Sequence, residues 1–245
     1  MALRQTLGVV IRLADLGEAD KIVTLYTPAT GQISGIAKGA KRSLKRFVNK
    51  LEIFSLLDLE YSDHYRLPII NQAELLNSHL PLREDYHAYT AAALVCELYR
   101  LWTHQGDHDQ GLFALLNWVL ARLQHREGRL ESLVLFLARF YRRLGYQPDL
   151  SGCVSCRRLD RQAGPFRFQA RQGTIVCSHC RPRSSAPGLS IATVRLLGRA
   201  LELPLDKLSR LRLAPASTRE ALALFKEHDR VLLDRELAAW NFLGE

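Results

Sequence analysis

Four cysteines limit what this chain can fold into more than any other feature. Cys153-x-x-Cys156 and Cys177-x-x-Cys180 are separated by twenty residues. Each pair forms a knuckle presenting two thiolates, and the chain between them returns to close a tetrahedron around one metal ion. The intervening segment, with Arg161-Gln162-Ala163-Gly164-Pro165, is hydrophilic and has too little apolar material to fold alone. A metal can order such a segment, because its apparent binding free energy is about 10–16 kcal/mol in small zinc domains. One Zn2+ per chain is expected; an iron–sulfur cluster and a redox dithiol pair are the alternatives. Four thiolates make a closed shell, whereas catalytic zinc keeps an open position, so the expected role is structural. His179 could replace one thiolate, but a four-cysteine shell leaves it no place as a ligand. The fifth cysteine, Cys96, falls on an apolar helix face and is expected in the core.

The compartment follows from the same count. The start, Met1-Ala2-Leu3-Arg4-Gln5-Thr6, leads into an alternating strand pattern and not into an export signal. Five cysteines without such a signal point to metal binding in a reducing cytoplasm. No uninterrupted apolar stretch approaches the roughly 18 residues that a spanning helix needs, so no membrane partner is expected.

The hydrophobic period changes once along the chain. Thr6 to Leu13, Lys21 to Tyr26, Gln32 to Ala37, Phe54 to Tyr61 and Leu67 to Leu75 read as five short strands, with a turn signal at Pro28-Ala29-Thr30-Gly31. Five strands in about seventy-five residues suit a small barrel, and the OB-fold is the size-matched choice. From Pro81 the period becomes helical: Pro81 to Trp102, Asp109 to Gln124, Arg129 to Leu144, Ser190 to Leu203, and a last helix from a capping box at Ser217-Thr218-Arg219-Glu220 to about Leu243. The expected class is α+β: an OB-fold DNA-binding domain over residues 1–80, then an all-α domain over 81–245. The latter carries a zinc-ribbon-like insert at 151–185.

Charge points to a polyanionic partner. Lys plus Arg number 34 and Asp plus Glu 25, a net +9, and each phosphate neutralised by such cations releases counterions. Lys38, Lys41, Arg42, Lys45, Arg46 and Lys50 crowd the loop after the third strand with no acid among them. They are the candidate DNA-binding residues, since a basic loop beside a barrel groove is how OB-folds track a nucleic-acid backbone. Gly39 would let backbone approach a phosphate, and Phe47 and Phe54 are either stacking faces or core. Arg157, Arg158, Arg161, Arg167, Arg171, Arg181 and Arg183 surround the cysteines against Asp160 alone. That cluster is either a solvated surface or a phosphate or acidic-peptide site. Arg139, Arg142 and Arg143 are expected merely to face water.

Catalytic patterns are missing. There is no P-loop, no Gly-x-Ser-x-Gly elbow, no His-Glu-x-x-His and no Rossmann glycine triplet. His104 and His108 flank Gly106, which favours a loop over a shared helix face. No enzymatic activity is expected. The competing reading is a zinc-ribbon protein-interaction adaptor with an incidental basic surface.

Several segments, taken in order, resemble the RecO family of bacterial recombination mediators. They are Leu7-Gly8-Val9-Val10-Ile11, Leu16 to Thr27, Gly31 to Arg42, Gln72-Ala73-Glu74-Leu75-Leu76, Leu80-Pro81-Leu82-Arg83 and Leu144 to Leu150. The resemblance implies a nucleoid-associated cytoplasmic protein that binds single- and double-stranded DNA and anneals complementary strands. It also implies work with RecR to load RecA onto DNA coated by single-stranded DNA-binding protein, whose acidic C-terminal tail the helical domain recognises. The chain departs from the family at its end. Glu236-Leu237-Ala238-Ala239-Trp240-Asn241 stands where members often carry a basic segment, so contacts from there are not carried over.

Overall fold

Strand β1 (Leu3–Leu16) is long enough to serve two neighbours. Its first half pairs with β4 (Leu56–Ser62), from Leu3 opposite Ser62 to Val9 opposite Leu56. Its second half pairs with β2 (Asp20–Thr27), and the register shifts between Val10 and Arg12. A bulge of this kind bends the strand and lets a sheet curl on itself. β3 (Gly31–Ala37) and β5 (Ile69–Asn77) complete a closed barrel ordered β1-β2-β3-β5-β4, the Greek-key topology of an OB-fold. The computed structural model describes residues 3–43, 45–63, 67–160, 164–181 and 186–243.

Alternation fills the barrel. Val10, Val23, Leu25, Ile33, Leu57, Leu59 and Ile70 point inward, and Phe47 and Leu51 from the long β3–β4 loop close the core. Phe47 is 3% exposed and Phe54 fully buried, so both aromatics belong to the core and neither offers a stacking face.

By compactness the chain divides into residues Met1–His125 and Arg126–Glu245. Strands give way to helices at 80/81, but α1 (Pro81–Glu84), α2 (Tyr86–Trp102) and α3 (Gln110–Leu123) group with the barrel. Asp85 interrupts the expected single helix and caps α2 by accepting from the Ala88 amide at 2.9 Å; Asp109 caps α3 in the same way. Tyr26 of β2 meets Tyr99 of α2 edge-on, with ring centres 4.8 Å apart. The α2–α3 loop, which holds His104 and His108, lies against the β2–β3 turn. There the Gln32 amide donates to His104 O at 3.1 Å, the Gly106 amide donates to Thr30 O at 2.8 Å, and the His108 ring bonds Ala29 O.

Only glycine fits at the centre of that contact. Gly31 has φ +67°, and a Cβ placed there would stand 2.4 Å from His104 O and 2.8 Å from Asp107 O. Left-handed strain and overpacking together should make Gly31→Ala cost about 2–4 kcal/mol. Urea unfolding should show this as a lower midpoint, and an unchanged midpoint would contradict the packing described.

In the second unit, α4 (Arg129–Leu144) ends at Gly145 in the left-handed conformation. Its apolar face packs on α5 (Ile191–Glu202) and α7 (Pro215–Leu232), with α6 (Leu205–Leu208) between the last two in sequence. Arg139 and Arg142 do not simply face water. Both donate to Leu201 O, at the C-terminal end of α5, where cations satisfy orphan carbonyls. A four-stranded sheet, ordered β6-β8-β7-β9, also belongs to this unit: β6 (Asp149–Cys153), β7 (Phe166–Gln169), β8 (Thr174–Cys177) and β9 (Gly188–Leu189). No strand is expected after residue 80, and the segment with Arg161-Gln162-Ala163-Gly164-Pro165 is expected to be too poor in apolar material to fold alone. Yet Phe166 and Phe168 of β7 and Ile175 and Val176 of β8 are all buried.

The last helix is shorter than its periodicity predicts. Glu220 closes no capping box. It accepts from the Ser190 amide at 2.8 Å and the Ser190 hydroxyl at 2.9 Å, and so ties α7 to the start of α5. Past Leu232 the chain turns at Asp234, with φ 51°, and a short 3-10 segment (Ala238–Phe242) returns Trp240 to α7. Its indole donates to Asp229 at 2.8 Å, and the Tyr141 hydroxyl donates to the same carboxyl.

Asp229 is 1% exposed, and burial raises its pKa to about 7 against the opposing effect of those two donors. A folded-state pKa above the unfolded value means that folding takes up a proton. Stability should therefore fall as pH rises from about 4 to about 7, by at most about 4 kcal/mol. Asp229→Asn should flatten that slope in urea midpoints taken across the range. A variant with the slope of the parent would rule out Asp229 as its source.

Candidate metal centre and nucleic-acid interface

The knuckles sit where β6 and β8 run side by side. β6 ends at Cys153 and β8 at Cys177, and each second cysteine follows in the turn beyond. The ligand atoms of Cys153, Cys156, Cys177 and Cys180 all lie within 4.8 Å of one another, with Cys153 and Cys177 buried and the other two exposed. Cys156 Sγ and Cys177 Sγ are 3.7 Å apart, close to the roughly 3.8 Å edge of a tetrahedron with 2.3 Å metal–sulfur bonds. The sequence-predicted quartet is thus brought together, and His179 is not part of the group.

Electrostatics supports a cation at its centre. Burial pushes the Cys153 thiol up, but amides of Cys177, Cys156 and Ser155 outweigh it and bring its pKa down to about 6. Cys180 moves the other way, pushed up to about 12 chiefly because its thiol donates hydrogen bonds to the neighbouring Cys177 and Cys156 sulfurs. Four thiolates cannot share so small a volume without a positive charge to bind them. With one, all four can ionise. The residues present therefore fit a metal ion held in an all-sulfur shell. Cys96 is different: it is 2% exposed, burial raises its thiol pKa further, and it lies in the core of the first unit as expected.

The candidate DNA-binding residues separate into two sets. Lys41 bonds Asp15 at 3.1 Å and Gly17 O at 2.9 Å, and Arg42 reaches Glu18 at 3.5 Å. The Gly39 amide donates to Asp20 at 2.7 Å, so it is not available to a phosphate. Although no acid lies within Lys38 to Lys50, the β1–β2 turn brings acids from some twenty-five positions earlier. Lys41 and Arg42 clamp that turn. Lys45, Arg46 and Lys50 instead line a groove with Asn71, Gln72 and Ala73 of β5. Arg46 lies over the Phe47 ring, 4.4 Å from its centre, which holds the guanidinium against the barrel. Among the described residues, Lys38, Lys45, Arg46 and Lys50 form no ion pair. Gln72 and Glu74 stand opposite Glu60 and Asp58 in the ladder, so the groove has an anionic border.

Sequence reasoning missed the β5 wall of this groove, because a Gln in a strand carries no signal of its own. It also grouped together the arginines around the cysteines, which differ in role. Arg158 pairs with Asp160 at 3.0 Å, and Arg167 donates to Ala186 O at 3.3 Å. Arg157, Arg171 and Arg181 are exposed. Arg161 and Arg183 lie outside the described residues. Among the described residues, no helix is long and apolar enough to cross a membrane.

Comparisons with known proteins agree with this architecture. A family model described as the N-terminal part of recombination protein O matches residues 1–79, and one for its C-terminal part matches residues 83–240. The chain is 35% identical over 213 residues to "DNA repair protein RecO" of Syntrophobacter fumaroxidans, covering 86% of this chain and 85% of the relative. A protein of the same name from an Anaeromyxobacter species is 34% identical over 245 residues, covering 97% and 94%. One from Geobacter metallireducens is 31% identical over 241 residues, covering 98% and 97%.

Proposed function

The chain belongs to the family of recombination protein O, and from that premise we propose that it is a DNA-binding recombination mediator of DNA repair. It binds single- and double-stranded DNA, anneals complementary strands, and with RecR helps load RecA onto DNA coated by single-stranded DNA-binding protein. It works in the cytoplasm, at the nucleoid, and docks on the acidic C-terminal tail of the coating protein.

The observation that carries this reading is the groove of Lys45, Arg46 and Lys50 on an OB barrel, free of ion pairs among the described residues. Such a groove attracts phosphates whatever the sequence, and ammonium and guanidinium groups there replace condensed counterions. No covalent step is needed. Two strands repel each other, a basic protein that holds both lowers that barrier, and base pairing supplies the driving force. The mediator therefore acts without enzymatic chemistry. The cysteine shell is proposed to hold one structural zinc, which supplies a cross-link between the ends of β6 and β8. Cys153, Cys156, Cys177 and Cys180 would be its ligands.

Annealing of two complementary oligonucleotides by the purified protein tests the reading. The rate should exceed that of the naked strands and fall steeply as salt rises. Equal rates with and without protein in dilute buffer would refute it.

A further inference from the structure

A second groove lies wholly within the second unit, between the β7–β8 hairpin and α7. Its cavity volume is about 590 Å³, within the roughly 300–1,000 Å³ of sites that take small molecules and larger than a lone anion requires. Three arginines reach it from separate elements: Arg171 from the hairpin turn, Arg181 from just beyond Cys180, and Arg230 from α7. Arg230 is already engaged, because its guanidinium grips Glu227 at 2.8 and 2.6 Å. Arg171 and Arg181 form no ion pair among the described residues, so the groove carries two uncompensated guanidinium groups. The side chains of Gln169 and Gln172 add polar groups beside them, and Pro187 and Val231 supply apolar surface.

We propose that this groove is a second strand site, taking the phosphodiester backbone of a single-stranded nucleic acid. Planar guanidinium forks match phosphate oxygens, and the apolar surface suits a sugar or base face. This rests on the annealing function proposed above, which requires two strands to be held, and it gives the second unit the half of that task that the barrel groove leaves open. The site is also built on the metal centre. The Arg181 amide donates to Cys177 O at 3.1 Å, and Cys177 pairs with Phe166 across the hairpin. Whatever orders the four sulfurs therefore orders one wall of the groove. Strand binding at the barrel and strand annealing are then separable properties of one chain.

The test uses the full-length metal-loaded protein and a short oligothymidylate, with calorimetric stoichiometry and an annealing rate as readouts. The parent should bind two equivalents, the second weaker and more salt-sensitive. Arg171→Glu combined with Arg181→Glu should bind one equivalent and anneal roughly tenfold more slowly or worse, because reversing two phosphate contacts removes their counterion release. Arg171→Lys combined with Arg181→Lys should keep the second equivalent, which separates loss of charge from loss of fold. A parent that binds a single equivalent overturns the proposal, as does a Glu variant that keeps both equivalents and the parental rate. An acidic peptide that binds the parent but not the Glu variant, with the second oligothymidylate equivalent intact in both, also overturns it in favour of a peptide groove. If the parent binds no oligothymidylate at all, the function proposed above fails first. If it binds one equivalent that a Lys45, Arg46 and Lys50 variant abolishes, that function stands and only the second site falls.

Discussion

Replacing Cys177 with serine is expected to unfold the sheet of the second unit while leaving the barrel intact. Cys177 is 1% exposed, its amide donates to Cys153 Sγ at 3.3 Å, and its sulfur lies 3.7 Å from that of Cys156. The strands around it are two to five residues long, too short to persist as an isolated sheet in water. Their order therefore depends on the cross-link and on a few buried side chains, Phe166, Phe168, Ile175 and Val176 among them. Losing one thiolate weakens a site whose binding free energy is also folding free energy, about 10–16 kcal/mol in small zinc domains. Hydrogen exchange should show protection lost over residues 149–189 and kept over the barrel strands. Stripping the metal with a chelator under reducing conditions should give the same pattern. Protection lost equally in both units, or in neither, would refute the metal as a local staple.

The second large effect is expected at the barrel. Lys45→Glu, Arg46→Glu and Lys50→Glu combined should weaken binding of a single-stranded oligonucleotide by roughly a hundredfold or more in dilute buffer. The alanine equivalents should flatten the slope of log affinity against log salt by about 2, since each lost single-strand phosphate contact removes about 0.7. Lys41→Ala with Arg42→Ala should leave that slope nearly unchanged, because those cations are paired with Asp15 and Glu18. Fluorescence anisotropy across a salt series measures both. The reverse outcome, a steep loss with the Lys41 and Arg42 pair and none with the groove residues, would move the path of the strand to the β1–β2 turn.

Much of this was visible in the sequence where the signal was local. The five barrel strands and the helix starts at Asp109 and Ser190 are set by residues within a few positions of them. The cysteine quartet was legible because ligand spacing is itself local chemistry. Phe166-Arg167-Phe168-Gln169 also alternates in plain view, but its setting among arginines and glycines hid a strand whose burial depends on partners elsewhere in the chain. Glu220 is the opposite case: Ser217-x-x-Glu220 has capping-box spacing, but α7 begins two residues earlier at Pro215, so Ser217 is not the cap and the Glu220 carboxylate bonds Ser190 instead. The basic loop shows the same limit. Its composition announced a charged surface, but which cations are spoken for depended on acids that only the fold brings near.

The seating of the α2–α3 loop on the β2–β3 turn governs where the protein can be cut. A fragment ending near residue 80 would strip the cover from Tyr26 and leave the Gln32 amide without its acceptor. An excised barrel should accordingly be made to end after α3, near residue 125.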